Sequence, residues 1–130
     1  MRSEALTLIR LICVLAALAM AAGCRGGRID RAYVVTTGGQ PDKGRDIILS
    51  KHCGSCHTIP TLQNAQGVVG PPLSFFSRRT YIAGELPNTP ENLARWIRSP
   101  QSVEANTAMP NLGLSAEQAR DVAAYLYTLR

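Results

Sequence analysis

The 130-residue sequence predicts an all-α fold with three main helices and long connecting loops. Three observations carry that prediction. Apolar residues recur at i, i+3, i+4 in three separate segments. Each of those segments begins with a recognisable start signal. No segment alternates apolar and polar residues long enough to read as a strand.

The first helix opens at Pro41, a residue suited to the first helical position because its missing N–H has no partner there anyway. Gly44, Ile47 and Ile48 then share one face. Glycine inside a helix costs ~1 kcal/mol relative to alanine, so Gly44 implies close approach of another helix. The middle helix starts at Thr89-Pro90-Glu91, with threonine as cap, presents Leu93, Trp96 and Ile97 inward, and stops at Ser99-Pro100. The last helix starts at Ser115-Ala116-Glu117-Gln118, a capping-box pattern. Its buried stripe is Ala119, Val122, Ala123, Leu126 and Leu129, with Tyr125 at the edge. Between the first two helices, residues 58–88 show little period and many glycines and prolines, including Gly67, Gly70-Pro71-Pro72, Gly84 and Pro87. So long an irregular stretch is unusual in a small domain and needs something to pack around.

The run Cys53-Gly54-Ser55-Cys56-His57 supplies it. Two cysteines two residues apart, followed at once by histidine, suit covalent attachment of one haem c: a thioether from each thiol and an imidazole for the iron. A bare C-x-x-C also suits a redox dithiol or half a zinc site. Zinc needs further ligands, and the other cysteines, Cys13 and Cys24, lie in the N-terminal segment. The dithiol reading wants a βαβ context, whereas the flanks here are helical. His52, directly beside the motif, reads as a surface group or a support for the ligands, and not as a competing ligand.

That N-terminal segment reads as an export signal. Arg2 and Arg10 precede the apolar run Leu11 to Ala22, whose 12 residues fall well short of the ~20 that span a bilayer. Met20-Ala21-Ala22-Gly23-Cys24 resembles a bacterial lipobox, which would make Cys24 the lipidated first residue of the mature chain. Ordinary cleavage nearby would instead leave Cys24 a free thiol. The expected organisation is a signal at 1–23, a flexible tether at 24–41 and a haem domain at 42–130, held at the periplasmic face of a membrane.

Without Arg2, Arg10 and Glu4 the chain has 12 basic and 8 acidic residues, mildly basic and almost all arginine. Arg25, Arg28 and Arg31 follow the anchor, where anionic head groups would meet them. There is no basic helix and no interleaving of aromatic and basic residues, so nucleic acid is not a partner.

His57 is the proximal ligand by position, and its second ring nitrogen needs an acceptor. The Gly70-Pro71-Pro72-Leu73 turn either supplies a carbonyl or merely stiffens the loop. Met109 is the methionine that remains once Met1 and Met20 leave with the signal, and Pro110 holds its backbone extended. It is the candidate distal ligand. Imidazole plus thioether closes both axial positions, which suits a carrier and not an enzyme, and methionine favours ferrous iron. Trp96 reads as core, or as a donor to a haem propionate. Arg78, Arg79 and Tyr81 are further candidates for the propionates.

On these residues the stretch from Asp42 to Arg130 resembles the class I cytochromes c, the small monohaem bacterial type. The resemblance implies attachment at Cys53, Cys56 and His57. It implies that Pro71 of the Gly-Pro-x-Leu turn accepts from His57, and that Leu73 packs on the haem. It also implies axial ligation by Met109 and a crossing of first and last helices at Gly44 and Tyr125. Ile48 stands where the family often has phenylalanine, which implies slightly looser packing. The stretch Thr89 to Pro100 also looks like the cytochrome c domain fused to subunit II of some haem-copper oxidases, and no copper-site sequence accompanies it here. The expected function is single-electron transfer by a monomeric, tethered carrier between respiratory redox proteins, ending at an oxidase or similar acceptor. A subunit of a periplasmic dehydrogenase is the alternative within that class. A haem peroxidase or gas sensor with a labile Met109 is the alternative outside it.

Overall fold

Within residues 36–130, three helices are set by local start signals, and the first and last meet at one close crossing. In the computed structural model, which describes residues 36–130 together with Arg10 and Ile12, α1 spans Pro41–Ser50, α2 Pro90–Arg98 and α3 Ala116–Leu126. Each start follows from its sequence. Thr89 Oγ1 accepts from the Asn92 amide, and Ser115 and Gln118 exchange both capping-box hydrogen bonds. Pro41 stands at the first position of α1. No side chain of its own segment caps α1; the Gln40 amide donates instead to Asp121 Oδ1 of α3, at 2.7 Å. This accounts for Asp121, a carboxylate only 4% exposed. A buried carboxylate is tolerable only when hydrogen-bonded.

α3 packs on both α1 and α2. At the first crossing a methyl group on Gly44 would lie 2.0 Å from the Asp121 carbonyl oxygen, so only glycine lets the two backbones come this close. The contact falls on the backbone of Asp121 and Val122. Tyr125 lies one turn further along, and its hydroxyl bonds Thr61. Tyr125 is buried, contrary to its expected place at the edge of the stripe, as are Ala124 and Tyr127. Packed from two sides, α3 has little polar edge left: of residues 119–127, Arg120 is the exposed one. Leu129 is buried as expected but lies past the helix end, in a turn to Leu126.

The irregular stretch has more order than its composition suggests. Tyr81–Ile82 (β1) and Leu86–Pro87 (β2) form a small antiparallel hairpin, closed by Ala83 and Gly84 at φ 54° and 78°. Short 3₁₀ turns occur at Cys53–Ser55, Phe76–Arg78 and Pro100–Ser102. The core gathers Ile48, Leu93, Ile97, Val122 and Leu126 from the helices with Ile59, Leu73, Phe76 and Ile82 from the loops. All of this lies in one unit, Val35–Arg130. No described helix is long and apolar enough to cross a membrane. Apart from Arg10 and Ile12, the expected signal falls outside the described residues, as do Cys24 and the expected tether as far as residue 35.

Candidate haem site

The end of α1 turns straight into the cysteine motif. Lys51 closes the helix on the Ile47 carbonyl, His52 takes a left-handed φ of 55°, and the 3₁₀ turn Cys53–Ser55 follows. His52 is exposed, and its amide donates to Leu49. Cys53 and Cys56 are both free thiols, half-buried and one turn apart. The Cys53 thiol is pushed up from its ordinary pKa, first by burial and then by the neighbouring Cys56.

The next loop folds back over the motif through a ladder of backbone hydrogen bonds. The Gly67 amide donates to Gly54 and the Gly70 amide to Cys56, at 3.0 and 2.8 Å. Leu73 donates to Thr58 at 2.8 Å. These bonds bring the Gly-Pro-Pro-Leu turn against the His57 ring. A methyl group on Gly70 would stand 2.4 Å from His57 Cε1, so the turn carries glycine because the imidazole occupies that space. Nδ1 of His57 lies 2.7 Å from the Pro71 carbonyl oxygen. A carbonyl can only accept, so Nδ1 carries the proton and Nε2 keeps its lone pair. This selects the first of the two readings of the turn: it supplies the acceptor as well as stiffness. Leu73 is buried beside it, while Pro71 is exposed.

Met109 stands in a separate loop whose backbone is held at both ends. Its amide donates to Thr107 Oγ1 at 3.2 Å, and its carbonyl accepts from Gln101 Nε2 at 2.7 Å. The side chain is half-buried. Trp96 is half-buried too and packs against the core from α2; Leu93 and Ile97 form the deeper part of that face.

Two residues of this region carry roles that motif reading missed. Gln101 fixes the Met109 carbonyl, and no local pattern marks a glutamine as such a brace. Arg79, grouped in the sequence with candidate propionate partners, donates to the Pro72 carbonyl and lies over the Phe76 ring at 5.0 Å. It therefore clamps the turn that carries Pro71. Burial lowers its pKa from the ordinary arginine value. Arg78 lies over Phe75 at 5.6 Å, and Tyr81 is exposed.

The arrangement thus offers two thiols two residues apart, one imidazole with a fixed tautomer and a free lone pair, and one thioether on a braced loop. That donor set fits covalently attached haem.

Comparison with known proteins agrees. The family model described as cytochrome c matches residues 41–130. The cytochrome c oxidase subunit 2 of Alkalihalophilus pseudofirmus is 36% identical over 90 residues, covering 68% of this chain and 25% of that protein. The protein of the same name from Bacillus sp. strain PS3 is 35% identical over 92 residues, covering 68% and 26%. That from Bacillus subtilis is 30% identical over 69 residues, covering 52% and 19%. The chain therefore spans about a quarter of the length of the first two of these relatives and less of the third.

Proposed function

Since the chain belongs to the cytochrome c family, whose domains carry covalent haem c and transfer electrons, we propose that it is a membrane-tethered monohaem carrier delivering single electrons to a terminal oxidase. Bound haem supplies the one-electron iron couple; the protein residues set its ligands and surroundings. In this reading Cys53 and Cys56 hold the haem by thioethers, and His57 and Met109 are the axial ligands. Leu73 and Trp96 pack against it.

One observation carries the reading most directly: His57 Nδ1 on the Pro71 carbonyl at 2.7 Å. A ring held in that tautomer presents Nε2 as a ligand, and the hydrogen bond makes the imidazole a better donor. With His57 and Met109 both holding the iron, no position would be left for a substrate, which favours the carrier over a peroxidase or sensor. The oxidase as acceptor is supported by relatives named cytochrome c oxidase subunit 2. The tether rests on the export-type segment ending at Cys24, which would be lipidated at the periplasmic face of the membrane.

Met109→Ala tests the ligand. The expected outcome is a lower midpoint potential, loss of the methionine–iron charge-transfer band in the ferric spectrum, and binding of carbon monoxide to the ferrous protein. An unchanged potential with no carbon monoxide binding removes Met109 from the iron. For the tether, Cys24→Ala should move the protein from the membrane fraction to the soluble fraction; continued sedimentation with membranes disproves lipid anchoring at Cys24.

A further inference from the structure

Away from the cysteine motif, α2 and the start of α3 enclose an open groove of about 450 Å³. It lies beside the outward side of α2, and neither His57 nor Met109 lines it. Its apolar lining includes Ala94 and the exposed Ala116, with Ala119 buried beneath them. Its charged lining is Arg95, Arg98 and Arg120 against a single acid, Glu91. None of these arginines is in an ion pair among the described residues, where the pair found is Arg45 with Asp46. Among the described residues Arg95 donates to the Ser102 carbonyl, at 3.4 Å. The chain's own segment 25–34 does not supply the missing charge, since it holds three arginines and one acid, Asp30.

We propose that this groove docks an acidic, extended polypeptide segment of a partner protein. Guanidinium groups pair with carboxylates through two parallel hydrogen bonds, which gives direction as well as charge. Small alanine side chains leave room for the backbone of the bound segment between the arginines. Contact at this groove, which neither His57 nor Met109 lines, would hold the domain on its partner while the haem face stays open.

The test uses the full-length, haem-loaded protein and a fluorescent oligoglutamate peptide, followed by anisotropy at low and physiological salt. The expected result is saturable one-site binding that weakens with salt. Arg98→Glu and Arg120→Glu should each weaken it about tenfold or more, as charge reversal in a contact does. Lys43→Glu makes the same charge change on the exposed face of α1 and should alter binding by less than about threefold. Unchanged visible absorption and circular dichroism confirm that each variant is folded. Equal weakening by Lys43→Glu overturns the proposal, because net charge alone would then explain binding. Displacement of the peptide by phosphatidylglycerol vesicles, but not by phosphatidylcholine vesicles, also overturns it and assigns the groove to a lipid surface. Displacement by millimolar inorganic phosphate overturns it in favour of a small-anion site. The readout needs no electron transfer, so failure here leaves the carrier assignment intact.

Discussion

Gly70 has no room for a methyl group. Its missing side chain is the space filled by the His57 ring, and its amide is already committed to Cys56. Gly70→Ala must therefore move either the ring or the turn. Overpacking of this kind costs ~1–3 kcal/mol, and losing the Pro71 hydrogen bond adds ~1 kcal/mol. The variant should melt several degrees lower. Its midpoint potential should rise, because an imidazole that no longer donates is a weaker ligand for ferric iron. A normal melting point with an unshifted potential would disconnect this glycine from the ligand. Residue types and spacing made Cys53, Cys56, His57 and Met109 legible in the sequence. Gln101 and Arg79 were not legible in the same way, because bracing a carbonyl leaves no composition signature. Their roles depend on where two loops happen to meet.

Among the elements, the crossing of α1 and α3 sets two effects of Gly44 against each other. Alanine would improve the intrinsic helix propensity of α1 by ~1 kcal/mol. It would also drive a methyl group to 2.0 Å from the Asp121 carbonyl, where the obstacle is backbone and cannot rotate away. The clash is the larger effect, at ~1–3 kcal/mol and more if the helices separate. Gly44→Ala should be net destabilising in denaturant titration; a stabilised variant would mean that the helices do not meet here. Helix starts were readable because caps are local: Thr89, Ser115 and Pro41 each act within a few residues. Asp121 was not readable, because its partner is the amide of Gln40, 81 positions away. Tyr125 was misplaced for a related reason. A one-sided stripe is a good guide only for a helix packed on one side, and α3 is packed on two.

For the molecule as a whole, the clearest titration signal is alkaline. Tyr127 is buried against Phe76, donates to Asn88 Oδ1 at 2.8 Å, and has its pKa pushed up to about 12, first by burial and then by Glu91. Between pH 10 and about 12 the unfolded chain loses this proton while the folded one keeps it. The unfolded state then binds fewer protons, so stability falls as pH rises through that window and is fully present below it. Urea midpoints measured from pH 9 to 12 should decline, with a shallower decline in Tyr127→Phe. Parallel curves would assign the alkaline loss to other groups.

The hairpin between β1 and β2 lies midway between the two halves of the candidate ligand set. At its tip, Ala83 and Gly84 are exposed, and nothing lies within 4 Å of where a Gly84 side chain would begin. Cutting the backbone at that tip would divide the protein into a fragment bearing Cys53, Cys56 and His57 and another bearing Met109. The α1–α3 seam, with Gln40 clipped to Asp121, would still span the cut. Mixing the two pieces would regenerate a six-coordinate spectrum only when they reassemble, which makes this small domain a natural basis for a split, colour-reporting pair.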